Sequence, residues 1–189
     1  ENYNVTLAEK IIKATDVSIQ VPTAGQEASG TGNMKFMMLG ALTHATLDGA
    51  NVEIHDLVSD ENMYLFGLRL NEVEELNRQG YNAWQTYNND PRIKRVFDDL
   101  IDGTMPNCYY EGKSVREEIL NNDVYYVTKD LPAYLDSMKQ IDEDWKKPEI
   151  WYKKVIKNIA NSGFFDINRN IKDYCSKVWK TPEDIKIFE

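Results

Sequence analysis

The sequence predicts an α/β fold, with a few parallel strands and intervening helices in residues 1–70 and a mostly helical portion in residues 71–189. Three observations predict it. Short apolar runs at "VSIQV" (17–21), "ALTHATLDG" (41–49) and "NMYLFGL" (62–68) alternate with helical signals, as in a parallel sheet. Past Asn71 the apolar residues recur at helical spacing and strand-like runs stop. No repeat, low-complexity tract or linker separates the two portions, so both are expected in one domain.

The elements follow in order. Thr6 and Glu9 read as a capping box that opens a helix with Leu7, Ile11 and Ile12 as its apolar stripe. "VSIQV" alternates and stops at Pro22, as a short strand does. A glycine-rich stretch then leads into a helix ending near Gly40, and "ANVEIHDLV" forms a short helix between the second and third strands. Asn71 with Glu74 starts the next helix, which Gly80 ends.

"DPRIKRVFDDLIDG" reads as an amphipathic helix with Asp90 as cap, Pro91 in the first turn and Gly103 after its end. Ile93, Val96, Phe97, Leu100 and Ile101 share its apolar face. Ser114 and Glu117 open another helix, and Asp130 caps a longer one marked by Leu131, Tyr134, Leu135, Met138 and Ile141. Two more follow, one after Pro148 and one around Ile171 to Trp179. Two or three strands are too few for a doubly wound sheet, so the chain is expected to be the back part of a larger domain. "ENYNVT", with no initiator Met and no signal-peptide pattern, fits a start inside a longer polypeptide.

The 189 residues suffice for one sizeable core. Thirty-one acidic against twenty-two basic residues, a net charge of −9, argue against a nucleic-acid or anionic-membrane binder, which needs clustered cations. No run approaches the roughly 20 apolar residues of a membrane span. Cys108 and Cys175 lack CxxC spacing, so no zinc or redox motif is signalled, and reduced thiols point to a cytoplasmic location.

The stretch that carries chemistry is "TAGQEASGTGNMKFMMLGAL", residues 23–42. Ser29, Gly30, Thr31, Gly32 and Asn33 precede or open a helix, where glycines admit a ligand close to the backbone and free amides favour an anion. The spacing is neither a Walker A loop nor G-x-G-x-x-G. Lys35 follows, flanked by Met34, Phe36, Met37, Met38 and Leu39, and is expected to be buried. Burial favours the neutral amine, which next to a phosphate cradle suits a Schiff base with a phosphorylated aldehyde. A lysine that snorkels to water is the plainer alternative.

"EASGTGNMKFMMLGAL", "DGANVEI" (48–54), "ENYNVTLAEKII", "LFGLR", "GYNA", "DPRIKRV" and "WYKKVIKNIANSGFFDINRNIKDYCSKVW" resemble the C-terminal region of the α-glucan (glycogen, starch and maltodextrin) phosphorylases. The resemblance runs from Glu1 to about Trp179. It implies a C-terminal fragment: the last part of a Rossmann-like domain of a GT-B fold. It also implies pyridoxal 5'-phosphate as cofactor, held by Lys35, with Thr31 and Gly32 at its phosphate and Tyr3 beside its ring. Glu27, Ser29 and Gly30 match residues that bind the hydroxyls of the reacting glucosyl unit.

The implied reaction is retaining phosphorolysis, in which α-1,4-glucan and inorganic phosphate give glucose 1-phosphate and a shortened glucan. The cofactor's phosphate serves there as proton donor and acceptor. Implied partners are those substrates, the N-terminal half of the same enzyme and a second copy in a homodimer. Gln26 and Met38-Leu39 depart from the family pattern, outside the contact set. The other wall of the cleft would precede Glu1, so the chain alone is expected to be inactive.

Other clusters are expected to be structural. His44 and His55, with Asp48, Glu53 and Asp56 nearby, fit no metal-ligand spacing. Glu72, Glu74 and Glu75 and Asp142 to Asp144 read as solvated charges rather than a glycosidase pair. Ile150, Val155 and Ile159 place the Trp145–Lys154 region on a core face with lysines outside. Two alternatives stay open: a nucleotide-sugar glycosyltransferase of the same architecture, and a non-catalytic interaction domain.

Overall fold

The computed structural model describes residues 2–27 and 30–181. Its sheet has three parallel strands, β1 (Val17–Gln20), β2 (Leu42–Ala45) and β3 (Tyr64–Leu65), in the order β1-β2-β3. Val17 pairs with Leu42 and His44 with Tyr64. All four β2 residues are buried, as a central strand covered on both faces requires. On β1, Ile19 is 47% exposed. The expected fold class therefore holds, with the three strands where the sequence puts them.

Helix α1 (Val5–Lys13) starts earlier than the Thr6–Glu9 pattern suggests, because the Asn4 side chain caps it by accepting the Leu7 N–H at 3.0 Å. Helix α2 (Gly32–Met38) ends before Gly40, and α3 (Ala50–Val58) lies between β2 and β3. Helix α4 (Leu70–Gln79) begins one residue before Asn71; Glu72, rather than Glu74, folds back to accept the Arg69 N–H at 2.7 Å. A helix not foreseen, α5 (Ala83–Asn89), is capped by Asn82, which accepts the Trp84 N–H.

Helix α6 (Pro91–Asp99) has the expected Asp90 cap and buries Ile93 and Phe97, but stops short of Leu100 and Ile101, and Val96 faces solvent. Helix α7 (Tyr109–Asn121) runs through Ser114 and Glu117 instead of starting there. Its Gly112 lies so close to α6 that a Cβ would fall 2.3 Å from the Leu100 carbonyl oxygen. Helix α8 (Val127–Trp145) starts before Asp130. Its first amides, of Val127 and Thr128, go to the Asp123 carboxylate, and Asp130 accepts the Leu68 N–H at 2.8 Å. Helices α9 (Pro148–Asn161) and α10 (Ile167–Asp173) follow as expected, the latter continuing into a π-helical turn, Tyr174–Trp179.

The alternation of a strand sends Leu42 and Ala45 to opposite faces of the sheet. Ala45 packs with Met37, Ile54, Val58 and Met63, so α2 and α3 cover one face. Leu42 and Tyr64 pack with Ile141 and Trp151, so α8 and α9 cover the other. A separate core of Ala83, Tyr87, Ile93, Phe97 and Leu120 ties α5, α6 and α7 together.

Two expectations about α8 and α9 fail. Asp144 is buried, not solvated: it accepts the Tyr64 hydroxyl at 2.9 Å and pairs with Lys154 at 3.0 Å. Burial pushes its carboxyl up, but hydrogen bonds from Lys154, Tyr64 and Gln140 outweigh that and hold it below the usual range. Lys154 thus belongs to the interior, lying over the Tyr64 ring. Asn158 is fully buried, donating to the Asn62 and Lys154 carbonyls, while Ile159 is 44% exposed. Val155 packs as expected, against the core that holds buried Trp151, so the inward face of α9 combines these apolar residues with buried Asn158, and Ile159 lies at its margin.

His44 is fully buried, stacked on Tyr134 with Phe66 edge-on. The Ser137 hydroxyl donates to the Tyr134 carbonyl, so His44 Nε2–H donates to Ser137 Oγ at 2.6 Å and Nδ1 is left unprotonated and unpartnered. Desolvation lowers its pKa to about 4. His55 bonds Asp60 at 2.8 Å. Among the described residues no group of three metal-ligating side chains forms, and no helix is long and apolar enough to cross a membrane.

Candidate functional site

In open parallel sheets, ligands bind beyond the carboxyl ends of the strands, and the glycine-rich stretch leaves β1 at that edge. The loop from Val21 to Thr31 is held first at its root. Thr46 Oγ1 donates to the Pro22 carbonyl at 2.6 Å, and buried Thr23 donates to the Tyr125 carbonyl at 3.1 Å. Further on, Asp48, just after β2, accepts the backbone amides of Gln26 at 3.1 Å and Glu27 at 2.7 Å through one oxygen.

The far end is pinned as well. Asn33 is buried, and its Nδ2 donates to Asn51 Oδ1 at 2.9 Å, while Asn51 Nδ2 donates to the Thr46 carbonyl. Asn33 Oδ1 also accepts the Met34 N–H. These bonds seat the start of α2 on α3 and the end of β2. Gly49, with φ +52°, keeps this turn tight against the loop: a Cβ there would come within 2.8 Å of Glu27 Cγ.

Along the anchored loop and just past it, on α2, the candidate residues are left outward. Glu27, Thr31 and Lys35 are exposed, and among the described residues their carboxylate, hydroxyl and amine have no hydrogen-bond or ion-pair partner. A Cβ on Gly32 would meet nothing within 4 Å, and one on Gly30 only Asn33 at ordinary contact distance. Neither glycine has a positive φ, so the chain's own fold requires neither to lack a side chain. A bare backbone opening onto empty space fits a group that must approach closely. Ser29 lies outside the described residues.

The expected burial of Lys35 is not met. Asn33 and Met37 are four residues apart and point inward, and position 35 lies roughly 200° around the helix from position 33. The unbroken apolar run hid this face, since Met38 and Leu39 are themselves 53% and 44% exposed. Lys35 instead lines an open pocket of about 310 Å³ with Thr31, Met34, Met38, Phe165 and Asp166. The stem has apolar neighbours and the amine faces outward, so the argument from a desolvated amine does not hold for this chain. Tyr3 precedes α1, 72% exposed, with no hydrogen bond or ring contact to the loop among the described residues.

Sequence reasoning missed Asp48, Asn33 and Asn51 as the residues that shape the loop. The one available signal was two carboxamides and a carboxylate placed beside glycine turns, in "TGN" and "DGAN".

Comparison with known proteins adds an independent finding. The family model described as carbohydrate phosphorylase matches residues 1–181. The brain form of human glycogen phosphorylase is 45% identical over 192 aligned residues, covering 99% of this chain and 22% of that protein. Haemophilus influenzae glycogen phosphorylase is 42% identical over 183, covering 95% of this chain and 22% of that one. The human liver form is 42% identical, with 99% and 22% covered. The chain thus spans about a fifth of the length of the curated relatives it matches. On the match of the family model over nearly its whole length, the chain belongs to the carbohydrate phosphorylase family.

Proposed function

We propose that the chain supplies the cofactor- and glucosyl-facing part of an α-glucan phosphorylase. In the full-length enzyme, α-1,4-glucan and inorganic phosphate give glucose 1-phosphate. The bond from the anomeric carbon to the glucan oxygen breaks, a bond to a phosphate oxygen forms with retention, and the glucan oxygen takes a proton. Pyridoxal 5'-phosphate, when bound, would supply a phosphate able to give and take a proton at the site.

The chain's residues take the following parts. Lys35 would hold the cofactor covalently, Thr31 and the bare Gly32 backbone would take its phosphate, and Tyr3 would serve its ring. Glu27, Ser29 and Gly30 bind glucosyl hydroxyls. Asp48 and Asn51 position the loop without touching substrate. One observation carries this: Glu27 and Thr31 on the loop and Lys35 on α2, with no partner among the described residues, project from a loop–helix segment that Asp48, Asn33 and Asn51 fix in place. Preorganised groups of this kind are what transition-state stabilisation needs. Residues 1–70 and 71–189 act as one domain of a GT-B enzyme, cytoplasmic and homodimeric when whole, with the rest of the polypeptide closing over Lys35.

Borohydride reduction of the full-length protein, then peptide mapping, tests the central assignment. A pyridoxyl group is expected on Lys35; an unmodified Lys35 in enzyme that turns over overturns it.

A further inference from the structure

The charge of Asp130 has no counterpart among the described residues. The side chain sits half-buried near the start of α8, where one carboxylate oxygen accepts the Leu68 N–H at 2.8 Å. Among the described residues its other oxygen accepts no hydrogen bond. That oxygen packs on Gly67, where a Cβ would fall 3.0 Å from it and where a φ of +77° also favours glycine.

The surroundings add to the cost of this charge. Burial pushes the carboxyl up, and the two charges that bear on it, Asp123 and Glu72, are both negative; the Leu68 amide opposes them only in part. The helix start does not make up the difference. The amides of Val127 and Thr128 go to Asp123, and those of Lys129 and Asp130 go to the Tyr126 carbonyl. Lys129, the adjacent cation in sequence, lies instead over the Tyr81 ring, 5.4 Å from its centroid.

Asp130 opens on a cavity of about 270 Å³. Val21, Phe66, Val127, Leu131 and Tyr134 form its walls, and no lysine, arginine or histidine lines it. Such walls suit an aliphatic stem and the carboxylate suits a cationic head, and lysine and arginine combine the two. Val21 connects the cavity to the open side of the sheet. It follows β1 directly and is 63% exposed, and no described strand pairs with the outer edge of β1.

An uncovered strand edge beside an unpaired, half-buried carboxylate calls for a covering segment that brings a cation. The chain spans about a fifth of the length of its relatives, so a full-length protein has polypeptide to supply one. A freely diffusing amine would give up its translational freedom for a single ion pair, whereas a side chain on the same polypeptide is already held nearby by the fold.

We propose that Asp130 and this cavity receive a lysine or arginine side chain from the segment of the full-length polypeptide that covers the outer edge of β1. The pair clips that segment to α8 beside Thr23, at the root of the glycine-rich loop. It rests on the chain's being part of a longer protein and not on the cofactor assignment, so the two readings fail separately.

Asp130→Asn in the full-length protein, melted in phosphate buffer free of amines, tests the clip. Asn keeps an oxygen for the Leu68 amide and removes only the charge. With a cation in place the change strands it, and the apparent melting temperature is expected to fall by about 2–5 °C. Glu74→Gln, which removes an exposed charge, is expected to shift it by less than about 1 °C. With no cation in place Asp130→Asn relieves burial and repulsion, so an unchanged or raised melting temperature overturns the proposal.

Labelling of the same proteins with acetic anhydride and phenylglyoxal, read by peptide mapping, separates a clip from a local role. A lysine or arginine outside residues 1–189 is expected to gain reactivity in Asp130→Asn, and a gain at none overturns the proposal. A melting temperature that rises with added butylamine in the unaltered protein but not in Asp130→Asn also overturns it, since the occupant is then a free amine.

Discussion

Asp48 Oδ2 lies 2.7 Å from the backbone nitrogen of Glu27 and 3.1 Å from that of Gln26, across the carboxyl edge of the sheet. A single carboxylate oxygen therefore fixes the segment from which Glu27 projects.

Asp48→Ala removes both bonds. Hydrogen bonds to a charged acceptor contribute about 1.5–3 kcal/mol each, and the lower end applies at this partly exposed site. Phosphorolysis by the full-length enzyme is expected to fall about tenfold or more, with protease cleavage near Gly25–Gly30 accelerated. Unchanged turnover and unchanged cleavage would show that the loop holds its shape without Asp48.

Asn33→Ala leaves Asn51 Oδ1 buried and without its donor, which costs about 1–3 kcal/mol. Denaturant unfolding of Asn33→Ala, Asn51→Ala and the double variant measures it. The two losses are expected to be non-additive, because each removes the same bond; simple additivity would refute the coupling.

Lys154→Met strands the Asp144 carboxylate in the interior and is expected to destabilise by about 3–5 kcal/mol. The combined change of Lys154→Met with Asp144→Leu should recover much of the loss. A thermal melt of both variants decides it.

His44 gives a pH dependence of definite sign. Its pKa falls from 6.5 to about 4 on folding, so between these values the unfolded chain binds the extra proton. The contribution is whole above pH 6.5 and drains away as pH falls toward 4, reaching about 3 kcal/mol at about 1.4 kcal/mol per pH unit. His44→Gln should flatten the stability curve in that window. A variant with the same slope as the unaltered chain rules His44 out as its source.

The isolated 189-residue chain is expected to form no glucose 1-phosphate from maltoheptaose and phosphate. Lys35 stands open to water here, and phosphorolysis needs an enclosed site. Product formation above a Lys35→Ala control would contradict this.

How much of this was legible in the sequence depended on how local the cause was. Asp90-Pro91 announced α6 because cap and first turn are neighbours. Asp130 misled because its carboxylate serves Leu68, 62 residues away, and Asp123 took the capping role. Asp144 looked solvated because its partners, Tyr64 and Lys154, come from other elements. The strands were readable as apolar runs, whereas α5, seven residues under one Asn cap, left too short a period to detect. At the site, the residues of the loop stood out by type. The outward turn of Lys35 did not, since composition hid a periodicity already present in Asn33 and Met37.

The inward pair of α2 has one last consequence. With Asn33 and Met37 locked to the interior, the bearing of the lysine is set by residue count and hardly at all by what its neighbours are. Slipping one extra residue in after Asn33 would swing the amine by roughly 100°, away from the pocket it lines with Thr31 and Phe165, while every original side chain survived. This segment can absorb altered letters far more readily than an altered spelling length.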